Sequence, residues 1–150
     1  RATATQECVV RTGSTVLEKE MQTETFAERF TLESQSDGNN RTLLFNPSNA
    51  ALNAKTLTVF LEIIEVDTDT KIWVEYEDSA DGVAWNAFAQ TLIDTAGPSQ
   101  DQDATVGVIS GSSTSEFGAW VRLKVTTSQR STQATLKKAL VSIKGVWKPF

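Results

Sequence analysis

The feature of this sequence that most constrains its fold is a period-two alternation of apolar and other residues in short runs. Ile72, Val74 and Tyr76, for example, alternate with a tryptophan and two glutamates. Successive side chains of a strand point to opposite faces of a sheet, so this period is typical of strands with one buried face. Clusters of Gly, Asn, Asp and Ser, which favour turns, separate the runs. We predict strands at Glu7–Arg11, Thr25–Leu32, Arg41–Phe45, Thr56–Val66, Lys71–Glu77, Val83–Ile93, Thr105–Ile109, Ala119–Thr127 and Thr135–Trp147.

Short strands at this spacing favour an all-β fold, an antiparallel β-sandwich of the jelly-roll or Ig-like kind, over alternating strands and helices. The 150 residues suffice for one domain with a sizeable core, which we place at residues 24–150. Residues 1–23 are polar and rich in Thr and Glu, which predicts an N-terminal arm or edge segment. Ser14–Arg29 also fits a helix, because Ser14 can cap it and Leu17 and Met21 lie four residues apart. Helix, strand and arm stay open for that segment.

Two further expectations concern strand neighbours. Leu57–Ile64 is apolar on both faces, which predicts a central strand covered on two sides, by another sheet or by a neighbouring subunit. The tight link Asp67–Thr70 predicts that this strand forms a hairpin with the next one. The Asp81-Gly82 dipeptide predicts a second hairpin, which leads to Trp85.

The composition excludes several kinds of chemistry. The chain has no histidine, so histidine-dependent nucleophilic catalysis and His-based metal centres are excluded. Its one cysteine, Cys8, excludes an intrachain disulfide and a structural zinc site, and we predict that it is a small buried hydrophobe. The net charge of −5 argues against nucleic acid as a partner. No run approaches the ~18 apolar residues of a membrane span. We predict a protein that is not an enzyme and binds neither nucleic acid nor membrane.

Carboxylates in the predicted links are the remaining route to a bound ligand. Asp67 with Asp69, and Asp101 with Asp103, each place two acidic side chains close together. Because Ca²⁺ takes oxygen ligands from flexible loops, these four residues are candidates for a calcium site. Asp also favours turns for a simpler reason, since its side chain bonds the local backbone. No EF-hand pattern is present, so we predict no cofactor, with calcium as the alternative.

The four tryptophans fall into two groups. Trp85 and Trp147 are in phase with apolar neighbours, which predicts that both lie in the core. Trp73 and Trp120 alternate with charged residues, which predicts an exposed or interfacial position unless a loop covers them. Exposed rings beside charges are typical of the centre of a protein interface or of a sugar-stacking platform. Phe150, the last residue of the sequence given, is a further candidate anchor.

The parity of two strands sharpens this prediction. Glu75 shares the outward face of its strand with Trp73, and Arg122 shares that of its strand with Trp120. If the two strands are antiparallel neighbours, opposite charges meet across them, which favours the pairing. The register that we predict has three cross-strand pairs: Glu75 with Arg122, Glu77 with Trp120, and Trp73 with Lys124. Trp73, Trp120, Glu75 and Arg122 are therefore the predicted interface or ligand platform.

An alternating strand that enters the turn Ser79-x-Asp81-Gly82-x-x-Trp85, followed later by the alternating run Trp120–Val125, resembles a hairpin of jelly-roll and Ig-like modules. These include structural and decoration proteins of tailed-phage virions and sugar-binding sandwich domains. The resemblance, over roughly 57–147, implies a virion protein such as a capsid decoration or head–tail accessory subunit, in a homo-oligomer or bound to a lattice of protein subunits. The alternatives are an extracellular carbohydrate-binding module that stacks sugars on Trp73 and Trp120, and a surface adhesion domain.

Overall fold

In a computed structural model of the chain, residues 21–45, 47–50, 54–87, 90–114 and 116–149 are described, and strands are the regular elements among them. The eight strands are β1 (Gln22–Glu33), β2 (Arg41–Leu44), β3 (Thr56–Val66), β4 (Thr70–Ser79), β5 (Thr91–Asp94), β6 (Gly107–Ser112), β7 (Trp120–Gln129) and β8 (Lys138–Lys148). Within the described ranges, no helix has the length and apolar character that crossing a membrane requires.

The strands form two antiparallel four-stranded sheets. One, sheet A, has the order β1-β8-β3-β6, and the other, sheet B, has the order β2-β7-β4-β5. Every link except the one between β4 and β5 carries the chain from one sheet to the other. Eight strands wound in this way form a jelly roll. The predicted antiparallel sandwich is therefore confirmed.

The core lies between the two sheets and comes from the inward side chains of alternate positions. On β3, Leu57, Val59, Leu61 and Ile63 are at most 1% exposed. Sheet B supplies the opposing rows from its two central strands: Ile72, Val74 and Tyr76 on β4, and Val121, Leu123 and Val125 on β7. Burial of two such rows against each other supplies most of the stabilisation of a sandwich.

Trp147 of β8 closes one end of this core, as predicted. It is 1% exposed, and its ring meets Phe117 edge to face at 5.7 Å between centroids. The indole N–H donates to Glu24 Oε1 at 3.0 Å, so its polar atom is satisfied. β5 and β6 approach each other closely between the two sheets, where a Cβ on Gly111 would lie 1.8 Å from the carbonyl oxygen of Leu92. Only glycine fits there.

The predicted hairpin between β3 and β4 is wrong, because these strands lie in different sheets. Both bring a complete apolar row, and each row is buried only when the strands face one another across the sandwich rather than side by side. Asp69 turns the chain between the sheets with a positive φ of 64°. The sequence signal for a reversal was correct, but a tight link does not specify the sheet that the chain enters.

The predicted strand Val83–Ile93 is also wrong over most of its length, since strand β5 comprises only Thr91–Asp94. At its start, Val83 and Ala84 bond to a side chain instead of a ladder: Asp81 Oδ1 accepts their N–H groups at 2.8 and 3.0 Å. Such local side-chain bonds compete with strand pairing. Val83 is consequently 82% exposed.

β3 is central, as predicted, between β8 and β6. The outer face of β3 carries Phe60, which is 39% exposed, so the described residues do not supply the predicted second cover. Residues 22–29 belong to β1, and the helical interpretation is wrong for them. The predicted strand Glu7–Arg11, Cys8 and Phe150 lie outside the described residues, and the boundary between an arm at 1–23 and a domain at 24–150 stays a prediction.

Candidate functional site

The predicted platform lies on the outer face of sheet B, where β4 and β7 are antiparallel neighbours as expected. The predicted register is wrong by two residues. Glu75 lies opposite Lys124 instead of Arg122, and Glu77 lies opposite Arg122 instead of Trp120. The remaining pairs of the face are Lys71 with Ser128, Trp73 with Thr126 and Ser79 with Trp120.

Electrostatics explains the observed register. A shift by two residues keeps every side chain on its own face, so the apolar rows of the core fit both registers equally well by parity. In the observed register each of Glu75 and Glu77 faces a cation, whereas the predicted one gives Glu77 a tryptophan. Cross-strand pairs of opposite charge contribute ~0.2–1 kcal/mol each, which favours the register with two of them.

Glu77 and Arg122 form the more buried pair of this face. Arg122 Nε donates to Glu77 Oε1 at 2.9 Å, and its Nη2 lies 2.8 Å from the same oxygen. The side chain of Arg122 is 22% exposed, and that of Glu77 is 8% exposed. Trp85 stacks on the guanidinium at 4.2 Å from ring centroid to Cζ, so it lies on the outer face and the prediction that it is a core residue is wrong. The partner of Trp85 is Arg122, which lies 37 residues later in the sequence. The apolar residues next to Trp85 in the sequence therefore give no sign of this contact.

The link that follows β4, residues 80–87, covers this end of the face. Gly82 has a φ of +78°, and a Cβ on it would meet the ring of Trp120 at 3.3 Å. Ser79 and Asp81 fix the turn, since Ser79 Oγ accepts the N–H of Gly82 at 2.9 Å. Trp120 is therefore only partly exposed, and the loop cover that the sequence left open is present.

The other half of the face has no such cover from the link 80–87, and we call it the open half: Lys71, Trp73, Glu75 and Lys124. Lys71 Nζ lies 4.5 Å from the ring centroid of Trp73, and it also donates to Gln100 Oε1. Lys124 Nζ lies 3.8 Å from Glu75 Oε1. Ser79 of β4 lies opposite Trp120, and it is six residues from Trp73, about 20 Å along the strand. The face thus holds Trp120 with Arg122 at one end and Trp73 with Glu75 at the other, and the two predicted tryptophans do not form one platform.

A second cluster, which sequence analysis did not find, joins three links at one end of the sandwich. Arg130 Nε donates to Asp103 Oδ1 at 2.6 Å, and Arg130 Nη2 lies 3.8 Å from Asp69 Oδ1. The backbone N–H of Asp69 donates to Asp103 Oδ2 at 3.1 Å. The hydrogen bond from Arg130 is the main reason that the pKa of the Asp103 carboxyl is lowered, and the same bond raises the pKa of Arg130. The cluster ties the β3–β4, β5–β6 and β7–β8 links together.

Three of the four calcium candidates already bind protein groups. Asp69 and Asp103 hold Arg130, and Asp67 Oδ2 accepts the backbone N–H of Lys138 at 2.8 Å. Asp101 is exposed. Among the residues that the structure describes, no three or more His, Cys, Asp or Glu side chains are grouped so that they hold a metal ion. These carboxylates order the links, and the absence of a cofactor, with calcium as the alternative, stays a prediction.

No family model matches the chain, and no curated protein matches it. Solved structures do. It is similar to the infectious bursal disease virus VP2 subviral particle, with a TM-score of 0.56, 16% identity, and coverage of 87% of this chain and 33% of that one. The structure of the Gx strain of infectious bursal disease virus gives a TM-score of 0.60 at 13% identity over 86% and 32% of the two chains. T=1 particles derived from infectious bursal virus give 0.53 and 12% over 87% and 32%. The chain spans about a third of the length of each, and at this identity the similarity is one of fold.

Proposed function

We propose that this chain is a non-catalytic structural subunit of a virus particle, located in the virion, that acts through protein–protein interfaces. The observation that carries the proposal is the fold: the arrangement of strands matches, over 86–87% of this chain, the infectious bursal disease virus VP2 subviral particle, the Gx strain of that virus and T=1 particles derived from infectious bursal virus. The fold alone does not specify function. The side chains therefore have to support the same conclusion.

The ion pairs around Arg122 and around Arg130 support a structural role rather than a catalytic one. Arg122 holds Glu77 on the outer face of sheet B, and Arg130 holds Asp103 and Asp69 where three links meet. General acid–base catalysis requires a titratable group with a pKa near the working pH, and histidine is absent from the chain. The pKa of Asp103 is shifted away from that range, because it is lowered. These ion pairs order a scaffold.

The finer proposal is a capsid decoration or head–tail accessory subunit of a tailed phage, bound without a cofactor to copies of itself or to a lattice of other subunits. Its support is the resemblance of the sequence from Ser79 to Trp85, where the structure has a turn fixed by Ser79 and Asp81 but no strand directly after it. Trp73, Trp120 and Phe150 are the proposed anchors. The open half around Trp73 and Glu75 is the part of the outer face of sheet B that we assign to a partner.

The geometry supports the carbohydrate-binding alternative less well. A stacking platform needs ring faces that are free and close together. Lys71 lies over Trp73, the link at Gly82 contacts Trp120, and about 20 Å of strand separates the two positions. Trp73 and Trp120 therefore do not offer one continuous stacking surface to an oligosaccharide.

The experiment that tests the proposal is the absolute mass of the purified protein by light scattering on a sizing column, with electron microscopy of the heaviest fraction. We expect a discrete closed oligomer or regular particles. The same preparation is titrated with oligosaccharides in the presence of Ca²⁺ while tryptophan fluorescence is followed. A monomer at every concentration that also binds a sugar saturably would overturn the proposal in favour of the binding module.

A further inference from the structure

The outward side chains of β4 in the open half form a pattern that is complementary to its own reverse. Lys71, Trp73 and Glu75 follow one another on this face at two-residue spacing, about 6.6 Å apart. In one direction the order is cation, ring, carboxylate, and in the other it is carboxylate, ring, cation. On the basis of the proposed function, we propose that this triplet binds the same triplet of a second copy of the chain across a two-fold axis at Trp73.

The axis that produces this contact lies between the two copies, at right angles to β4. It places Lys71 of each copy over Glu75 of the other, so that two intermolecular ion pairs flank the two indole rings. The same patch is used on both copies, as a two-fold interface requires. A tryptophan at the centre with polar groups around it is the usual composition of the energetically dominant part of an interface.

The covered end of the face favours this axis over one parallel to the strands. The link 80–87 stands above the sheet there, with Trp85 stacked on Arg122 at 4.2 Å. A two-fold axis parallel to the strands would bring the two copies of this link against each other. The perpendicular axis sends them to opposite ends of the dimer, and the open halves then meet.

Within their own chain, the charges of the triplet make only exposed contacts: Lys71 Nζ donates to Gln100 Oε1, and Glu75 Oε2 accepts from Thr91 Oγ1 at 3.3 Å. Lys71 Nζ and Asp94 Oδ2 are 3.9 Å apart, and their side chains are 21% and 29% exposed. Glu75 is 21% exposed and 3.8 Å from Lys124, which is 32% exposed. Exposed pairs at such distances contribute little to folding, about 0–1 kcal/mol. Lys71 and Glu75 can therefore turn to a partner at small cost to the fold.

The size of the open half indicates a weak contact. Even when all four strands of sheet B are counted, at ~4.8 Å each, about four residues at ~3.3 Å give an area on the order of only 250 Å². Stable interfaces bury about 800 Å² per partner. We therefore expect association only at high protein concentration, as for a contact that acts in large numbers within a particle.

Charge reversal tests the contact directly. The molecular mass of the wild type, Lys71→Glu, Glu75→Lys and an equimolar mixture of the two variants is measured by sedimentation velocity over a wide concentration series. We expect the wild type to approach dimer mass and each variant to associate at least about tenfold more weakly, because like charges now face each other. In the mixture every reversed charge faces an opposite one, so association should return.

Two reversals on the outer face of sheet A serve as matched controls. Glu62 and Lys144 are exposed there, and Glu62→Lys and Lys144→Glu should leave the association unchanged. Thermal unfolding checks that each variant folds. Should a reversal not fold, the neutral Glu75→Gln and the salt dependence of wild-type association measure the same charges, since salt screens exposed pairs.

A wild type that stays monomeric throughout, variants that associate as it does, or a mixture no better than its components would each overturn the contact. Oligomers or particles that form equally well with both reversals would overturn this interface and leave the proposed structural role in place. A monomer that binds sugar would overturn both.

Discussion

Arg122→Met measures how strongly the outer face of sheet B depends on one ion pair. The change removes two contacts of Arg122 with Glu77 Oε1, at 2.9 and 2.8 Å, and leaves Glu77 with Lys124 at 3.9 Å. A hydrogen bond between charged groups contributes about 1.5–3 kcal/mol, and the stack on Trp85 adds about 0.5–1 kcal/mol. Breaking a fully buried pair costs about 3–5 kcal/mol. Because Arg122 is 22% exposed, we expect a loss nearer 2–3 kcal/mol.

The assay is urea unfolding followed by circular dichroism, which does not depend on the environment of Trp85. A loss of this size in a 150-residue chain also lowers the melting temperature by roughly 5–10 °C. Lys124→Met is the matched control. It removes contacts of 3.8 and 3.9 Å from a side chain that is 32% exposed, and should cost less than about 1 kcal/mol.

The double variant Glu77→Met/Arg122→Met separates the pair from its surroundings. When both charges are replaced by apolar groups, no uncompensated carboxylate remains, and we expect stability close to that of the wild type. Two results would refute the reasoning. One is an Arg122→Met loss no larger than that of Lys124→Met, and the other is a double variant as unstable as the sum of its single variants.

Three further predictions follow from the core and from the Arg130 cluster. Gly111→Ala should destabilise the fold by about 3 kcal/mol or more in urea unfolding, because its Cβ would lie 1.8 Å from the Leu92 carbonyl oxygen. Trp147→Ala should cost about 3–5 kcal/mol by the same assay. Since Arg130 lowers the pKa of Asp103, that carboxylate stabilises the fold above its ordinary pKa of 3.8 and stops doing so as the pH falls through the lowered value. Wild type and Asp103→Asn should thus differ in unfolding free energy at neutral pH and converge in acid.

Alternation was a sufficient guide to the strands that carry a complete apolar row. β3 begins at Thr56 and ends at Val66, as predicted, because its inward residues alternate without interruption. The two-sheet fold follows from many such strands, since each has to bury one face. The segment after Val83 shows the limit of this reasoning. Its apolar residues alternate for a short distance, but Asp81 takes the backbone N–H groups that a strand would offer to a neighbour.

The Arg130 cluster shows what a sequence pattern cannot supply. Arg130 lies 27 residues from Asp103, and Ser131 Oγ donates to Asp69 across 62 residues. Nothing in the spacing brings these groups together. They meet because the links before β4, before β6 and after β7 all emerge at the same end of the sandwich. In the sequence alone, Asp69 and Asp103 are candidate metal ligands. The topology shows that their cationic partner is Arg130.

The charged residues of the outer face of sheet B fall into two groups. The more buried ones form an ion pair that stabilises the fold, and the more exposed ones remain available to a partner. Glu77, at 8% exposed, needs a partner within the chain, so Arg122 is fixed opposite it and the register of β4 against β7 follows. Glu75 and Lys71, each 21% exposed, keep enough contact with water that their pairs add little to the fold. A protein that assembles through this face can therefore bind and release its neighbour at Glu75 and Lys71 without disturbing the pair that sets its register. Arg122→Met should then reduce stability far more than association, whereas Glu75→Lys should do the reverse.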